Sequence, residues 1–233
     1  MTAARLVLAP CHAVFVEGRA VGPFPDEAPY CLEHARAGVE LASAAVDALL
    51  IFSGGATQGA AGLRTEALSY VEEARRHGWW GHPQVESRTA TEEYARDSRE
   101  NLLFSLERFF QLAGRPPESV TVIGWQFKER RFHLHCESAG WPAERFRYIG
   151  VNNPPPPALE QALAGEEALV RAVLADPRME GPEFAAKRAL RDPFGRGPLP
   201  GFHGRLPRAA QGCGGAADAL QPGEADGGSG GPG

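Results

Sequence analysis

The chain has 233 residues, 43% of them hydrophobic, with 24 basic and 29 acidic side chains and a formal charge of −5. That length and apolar content suffice for one well-buried core with a small appendage, and the acidic balance excludes a general attraction to nucleic acid or anionic lipid, so any basic site has to be local. No stretch approaches the ~18 apolar residues of a spanning helix, and Pro10 and His12 interrupt the apolar start in a way that argues against a signal peptide.

In chain order, short runs rich in Val, Ile, Leu and Phe alternate with longer segments of helical periodicity, the pattern of strands and crossover helices in a parallel sheet. The first strand is predicted at Arg5 to Leu8 and the first helix at Tyr30 to Ala44. A second strand follows at Ala48 to Phe52, with a helix over Thr65 to His77. A third strand is placed at Gln84 to Glu86. The helix after it, Asp97 to Leu112, carries Leu102, Leu106, Phe109 and Ala113 at the i, i+4, i+7 spacing of a buried stripe. Strands at Ser119 to Ile123 and Arg145 to Ile149, with helices at Lys128 to Ala139 and Ala158 to Leu174, complete the pattern. Continuous apolarity in Leu49-Leu50-Ile51-Phe52 and Val120-Thr121-Val122-Ile123 requires cover on both faces, so these two strands are expected to be central.

Beyond residue 150 the pattern weakens. Pro154 to Pro157 predicts a stiff polyproline stretch. Lys187 to Phe194 joins basic residues to Asp-Pro-Phe and is a candidate to fold back over the domain. Gln211 to Gly233 holds nine of the 28 glycines and almost no apolar bulk, so it cannot offset its ordering entropy and is expected to be disordered. One α/β domain is expected over residues 1–200, with its core at 4–175 and an extension at 176–210, followed by the tail at 211–233.

The strongest local signal for a site is a buried strand running into Ser53-Gly54-Gly55-Ala56-Thr57. In an open parallel sheet ligands sit beyond the carboxyl ends of the strands, and consecutive glycines let backbone N–H groups approach an anion or sugar. The alternative is a tight turn whose glycines only supply positive φ angles. Glu66, at the start of the next helix, either handles a proton at that loop or complements the helix dipole. Asp97 with Glu100 fits a capping arrangement. Asn101 shares a helix face with Ser98 toward the sheet, where it needs polar partners from the strand ends or from a ligand.

After the Ser119 to Ile123 strand, Lys128, Arg131 and His135 recur at i, i+3 and i+7 as one cationic face near a helix N-terminus, which is either an anion site or a solvated basic face. On this reading, replacing Lys128 and Arg131 with Gln changes stability little. His133 and His135 diverge on a helix and no carboxylate completes a ligand set, so no metal site is predicted. Next to Cys11, His12 is the better candidate for a site residue. The four cysteines, Cys11, Cys31, Cys136 and Cys213, are widely spaced without a Cys-x-x-Cys pair, and read as reduced thiols in the cytoplasm or another reducing compartment.

In order along the chain, Pro10-Cys11-His12, Phe52-Ser53-Gly54-Gly55, Thr65-Glu66-Ala67, Glu92 and Ala95-Arg96-Asp97-Ser98-x-Glu100-Asn101 together resemble the YdcF, SanA and ElyC family, a domain of unknown function, in its eukaryotic soluble branch. The resemblance runs from about Leu6 to Gly150, and Lys187 to Phe194 echoes a basic element of that branch. It implies a Rossmann-like three-layer α/β sandwich with a mainly parallel sheet of about five strands. It also implies that Ser53, Gly54, Gly55, Glu66, Glu92, Ser98, Glu100 and Asn101 converge on the strand-end crevice. Where bacterial members carry Thr-Ser-x-x-His-x-x-Arg, this chain keeps Arg131 and has Lys128 in place of the histidine.

Three functions stay open. One is an enzyme on a small anionic or phosphorylated metabolite, a hydrolase or group transferase, with Glu66 and Glu92 as catalytic groups and the ligand held by His12, Ser53, Gly54, Gly55, Thr57, Ser98, Glu100, Asn101, Lys128 and Arg131. Another is a binder of S-adenosylmethionine or a nucleotide without turnover. The third is a protein-interaction scaffold using the basic segment near Lys187. No nucleic acid or membrane partner is expected.

Overall fold

A computed structural model of the chain describes residues 3–22 and 26–202. β1 (Arg5–Pro10) is followed by a hairpin, β2 (Val14–Val16) and β3 (Arg19–Val21), and then by α1 (Ala28–Ser43), β4 (Ala48–Ser53) and α2 (Glu66–Arg76). Next come β5 (Thr89–Glu92), α3 (Ser98–Ala113), β6 (Ser119–Trp125) and α4 (Glu129–Ser138). β7 (Phe146–Asn152), α5 (Pro156–Ala175) and α6 (Pro182–Leu190) complete the described elements. The large sheet has the order β5-β4-β1-β6-β7 with every pairing parallel. The fold is a Rossmann-like α/β sandwich.

Strand alternation explains the three layers. Along β1, Leu6 and Leu8 pack on one face with Leu102, Phe109 and Phe132 of α3 and α4, while Val7 and Ala9 pack on the other with Ala35, Val39 and Tyr70 of α1 and α2. Both faces of the inner strands are therefore dry, which is why β4 and β6 read as unbroken apolar runs. Both are interior, as expected, but β1 holds the centre between them.

Two sequence expectations are corrected, and one element was not expected. The segment Pro83–Arg88, in which a strand was expected at Gln84 to Glu86, is a 3-10 turn, and the strand is Thr89–Glu92. Its residues are polar because β5 pairs only with β4 and is half-buried, so the apolar signal used to find strands is absent. The polyproline stretch expected at 154–157 is cut short: Pro155, at φ −59° and ψ 157°, is extended, but Pro156 opens α5 at a first-turn position, where its preset φ fits and no N–H is needed. The hairpin was not predicted from the sequence; Glu17 and Gly18, at φ 49° and 78°, make the turn that joins its two short strands. The tail at 211–233 and Cys213 lie outside the described residues.

The strand order also sets the place of the crevice. From β1 the chain moves through β4 to the β5 edge, then crosses back to β6 and on to β7. Connections leaving β1 and β6 thus turn to opposite sides, and the gap between their carboxyl ends is the switch point at which open α/β sheets bind ligands.

Candidate functional site

A cavity opens at that switch point. Pro10, Cys11 and His12 line it from the end of β1, Gly124 and Trp125 from the end of β6, and Ser98 and Asn101 from the first turn of α3. Lys128 and Arg131, at the start of α4, and Arg191, just past α6, bring three cationic side chains to it. The N-terminal ends of α3 and α4 meet the same space, and their helix dipoles favour negative charge there. About 40 Å³ is open to the centres of water molecules, room for roughly three waters.

The charges around the cavity are unevenly balanced. Arg131 is buried and pairs with Glu166 of α5 at 3.0 Å, yet its Nε–H has no partner among the described residues. Arg191 reaches Glu66 at 3.3 Å. Lys128 has no carboxylate within ion-pair distance among the described residues; its Nζ lies 3.0 Å from His12 Nδ1. Burial first, and the Arg131 guanidinium second, pull Lys128 down to about 7. Burial and Lys128 together hold His12 well below the usual imidazole range, and its Nε2 lies 3.6 Å from the Glu27 carboxylate. Ser98 Oγ sits 2.8 Å from His135 Nε2, and burial keeps that imidazole neutral too. Cys11 is a poor nucleophile here, because burial raises its thiol well above the ordinary range.

The glycine turn after β4 does something other than what its sequence suggested. Gly54 N–H donates to Glu92 O at 2.9 Å and Gly55 N–H to Ala95 O at 2.8 Å, so both amides are already used. Their carbonyls accept from Ala67 and Glu66, and the Thr65 hydroxyl accepts from Leu68 N–H, which together satisfy the start of α2. Neither glycine has a positive φ. They are small because chain segments pass close by. A Cβ on Gly54 would lie 2.5 Å from Glu66 Oε2, and one on Gly55 would lie 3.0 Å from the Ala95 carbonyl. The expectation that this turn cradles a ligand is corrected on that ground. Gly55→Val should therefore destabilise the fold by about 1–3 kcal/mol through overpacking against backbone, read by chemical denaturation. An unchanged denaturation midpoint would refute the close-packing account.

The remaining predicted site residues divide cleanly. His12, Ser98, Asn101, Lys128 and Arg131 line the cavity. Ser53, Gly54, Gly55, Thr57, Glu66, Glu92 and Glu100 do not. Ser53 donates to Glu92 and accepts from Asn101 Nδ2 at 2.9 Å, so the strand end supplies the partner that Asn101 required. The other Glu92 oxygen accepts from the Tyr94 and Ala95 N–H groups, and burial raises this carboxyl to about 7 against those hydrogen bonds. Glu92, at the end of β5, thus ties β4 to the loop that leads into α3. Thr57 donates to Glu66. Glu66 is raised by burial, opposed by Arg191, which it touches from outside the cavity lining. Glu100 turns away to grip Arg96 at 2.6 Å, and Asp97 caps α3 by accepting from Glu100 N–H. Among the described residues no group of three His, Cys, Asp or Glu side chains is placed to hold a metal ion.

Arg191 is the residue that sequence reasoning missed. The Lys187 to Phe194 segment was expected as a candidate to fold back over the domain, and it does, but its sequence did not say that Arg191 would reach the strand-end cavity. Arg188 holds Asp97 at 3.0 Å and Arg196 holds the Glu93 carbonyl at 2.9 Å, which fastens the segment over the crevice.

Comparison with known proteins adds one relative. The chain is 36% identical over 66 residues to the uncharacterized protein YOR238W of Saccharomyces cerevisiae. The match covers 28% of this chain and 22% of the yeast protein, so most of that protein has no counterpart in the alignment. No protein-family model and no solved structure matches the chain. No helix among the described residues is long and apolar enough to cross a membrane, and Cys11, Cys31 and Cys136 are free thiols buried in the fold.

Proposed function

We propose that the protein binds a small metabolite through one anionic group, a carboxylate or phosphate, in the switch-point cavity. The observation that carries this reading is the convergence of Lys128, Arg131 and Arg191 on a space of about 40 Å³, with a buried Arg131 Nε–H that has no partner among the described residues. A buried unpaired donor is costly, and an anion accepting from it removes that cost. The volume suits the anionic group and a few attached atoms rather than a whole adenosyl ligand, so S-adenosylmethionine and nucleotides are poor candidates. Glu66 and Glu92 stand outside the cavity, which makes them poor candidates for proton transfer to a ligand there. Membership of the YdcF, SanA and ElyC family belongs to the same proposal. It is supported by the motif residues Ser98, Asn101 and Arg131, which line the cavity.

Arg191→Gln tests this directly. Its side chain is partly exposed, and Glu66, already raised by burial, tolerates the loss of its partner by taking a proton. Titration calorimetry with inorganic phosphate should show wild-type binding that weakens with salt, and roughly tenfold weaker binding in the variant, the size of one lost charge-assisted hydrogen bond. Phosphate that binds both proteins equally, or neither, would exclude this cavity as an anion site.

A further inference from the structure

Of the 24 basic side chains in this chain only two are lysines, Lys128 and Lys187. Arginine is the better anion fork and keeps its charge everywhere, whereas lysine is the cation that loses its proton readily when buried. The cavity already has two arginines to hold an anion. A lysine beside them adds something arginine cannot, a primary amine with an available lone pair.

The surroundings of Lys128 favour that amine. Among the described residues no carboxylate pairs with it, and its Nζ lies 3.0 Å from His12 Nδ1. After burial, Arg131 of α4 repels its proton most strongly; Glu166 of α5 opposes that, Arg191 beyond α6 adds to the repulsion, and Cys31 of α1 has the smallest, attractive, effect. His34 of α1 is neutral, held down to about 4 chiefly by burial. A lysine placed next to other cations and out of water is an activated nucleophile toward carbonyl carbon.

We propose that Lys128 forms an imine with a small carbonyl compound whose carboxylate or phosphate is held by Arg131 and Arg191. The Nζ lone pair adds to the carbonyl carbon. As the C=N bond forms, the C–O bond breaks and the oxygen leaves as water with both Nζ protons, with His12 in reach to relay one of them. The inference rests on the anion reading of the cavity.

The test is reductive trapping on the full wild-type chain with sodium cyanoborohydride, followed by peptide mapping. Three aldehydes are compared: glyoxylate, which carries a carboxylate, glycolaldehyde phosphate, and neutral acetaldehyde. Lys128 should be alkylated roughly tenfold faster by at least one of the anionic aldehydes than by acetaldehyde, and roughly tenfold faster than Lys187, the margin of one charge-assisted contact. Labelling should rise with pH through about 7, and inorganic phosphate should protect. Which anionic aldehyde reacts faster identifies carboxylate or phosphate as the recognised group. If phosphate binds but Lys128 stays unlabelled, or labels no faster than Lys187, the imine is refuted and the anion site stands. If all three aldehydes label Lys128 equally and phosphate gives no protection, the anionic substrate class and the anion reading fail together.

Discussion

Arg131→Gln is expected to destabilise the protein by roughly 3–5 kcal/mol, the cost of leaving a buried carboxylate without its partner. Arg131 and Glu166 are each 8% exposed at the side chain and meet at 3.0 Å, so Glu166 has little access to bulk solvent once its partner is removed. The i, i+3, i+7 spacing of Lys128, Arg131 and His135 had suggested that this face could lose its charges with little effect on stability. The structure reverses that expectation, because α5 packs over α4 and covers Arg131. Chemical denaturation of Arg131→Gln, Glu166→Gln and the double replacement Arg131→Met with Glu166→Leu checks the account. The apolar pair should recover most of the loss, since two matched apolar side chains leave no orphan charge. If Arg131→Gln is as stable as wild type, the pair is solvated and the burial argument fails. Binding measurements on Arg131 variants are meaningful only once this loss is known, which is why Arg191 is the cleaner probe of the anion site.

Glu92→Gln is expected to remove a pH dependence of about 3 kcal/mol, the equivalent of moving a carboxyl from 4.5 to about 7 at 1.36 kcal/mol per pH unit. Because burial raises Glu92 in the folded state, the folded protein binds more protons than the unfolded chain between those two values. The contribution of Glu92 to stability is therefore complete below pH 4.5 and is lost as pH rises through about 7. His12, His34 and His135, all lowered by burial, act in the opposite sense below their ordinary range, so the wild-type curve alone mixes the two effects. The difference between variant and wild type isolates Glu92, because the histidines are common to both. Denaturation at a series of pH values should show Glu92→Gln gaining on wild type from pH 4.5 upward and levelling off above about 7. Parallel curves would mean that Glu92 is ionised in the folded state throughout that range.

The layered architecture is legible in the chain alone. Unbroken apolar runs at Leu49–Phe52 and Val120–Ile123, separated by helical stripes, fix a parallel sheet covered on both sides, because periodicity and continuous burial are local consequences of backbone geometry. The cap at Asp97 and the polar character of the α3 start are legible there too, since capping links residues three apart. Strand β5 escaped because an edge strand needs little apolar content.

Which strand ends face one another, and with that the place of the site, follows from long-range pairing that no local pattern encodes. The glycine turn after β4 looked like a ligand loop, but its amides are taken by Glu92 and Ala95 from the neighbouring strand and loop. The cavity instead lies between β1 and β6, joined in register from Arg5 with Ser119 onward, and is closed by Arg191, just past α6, in a segment whose sequence suggested a return over the domain but not its seat at these strand ends. Lys128 became a candidate nucleophile through the same long-range packing. An amine's protonation depends on what surrounds it in space, and the residues that desolvate and repel its charge come from segments far apart in the chain.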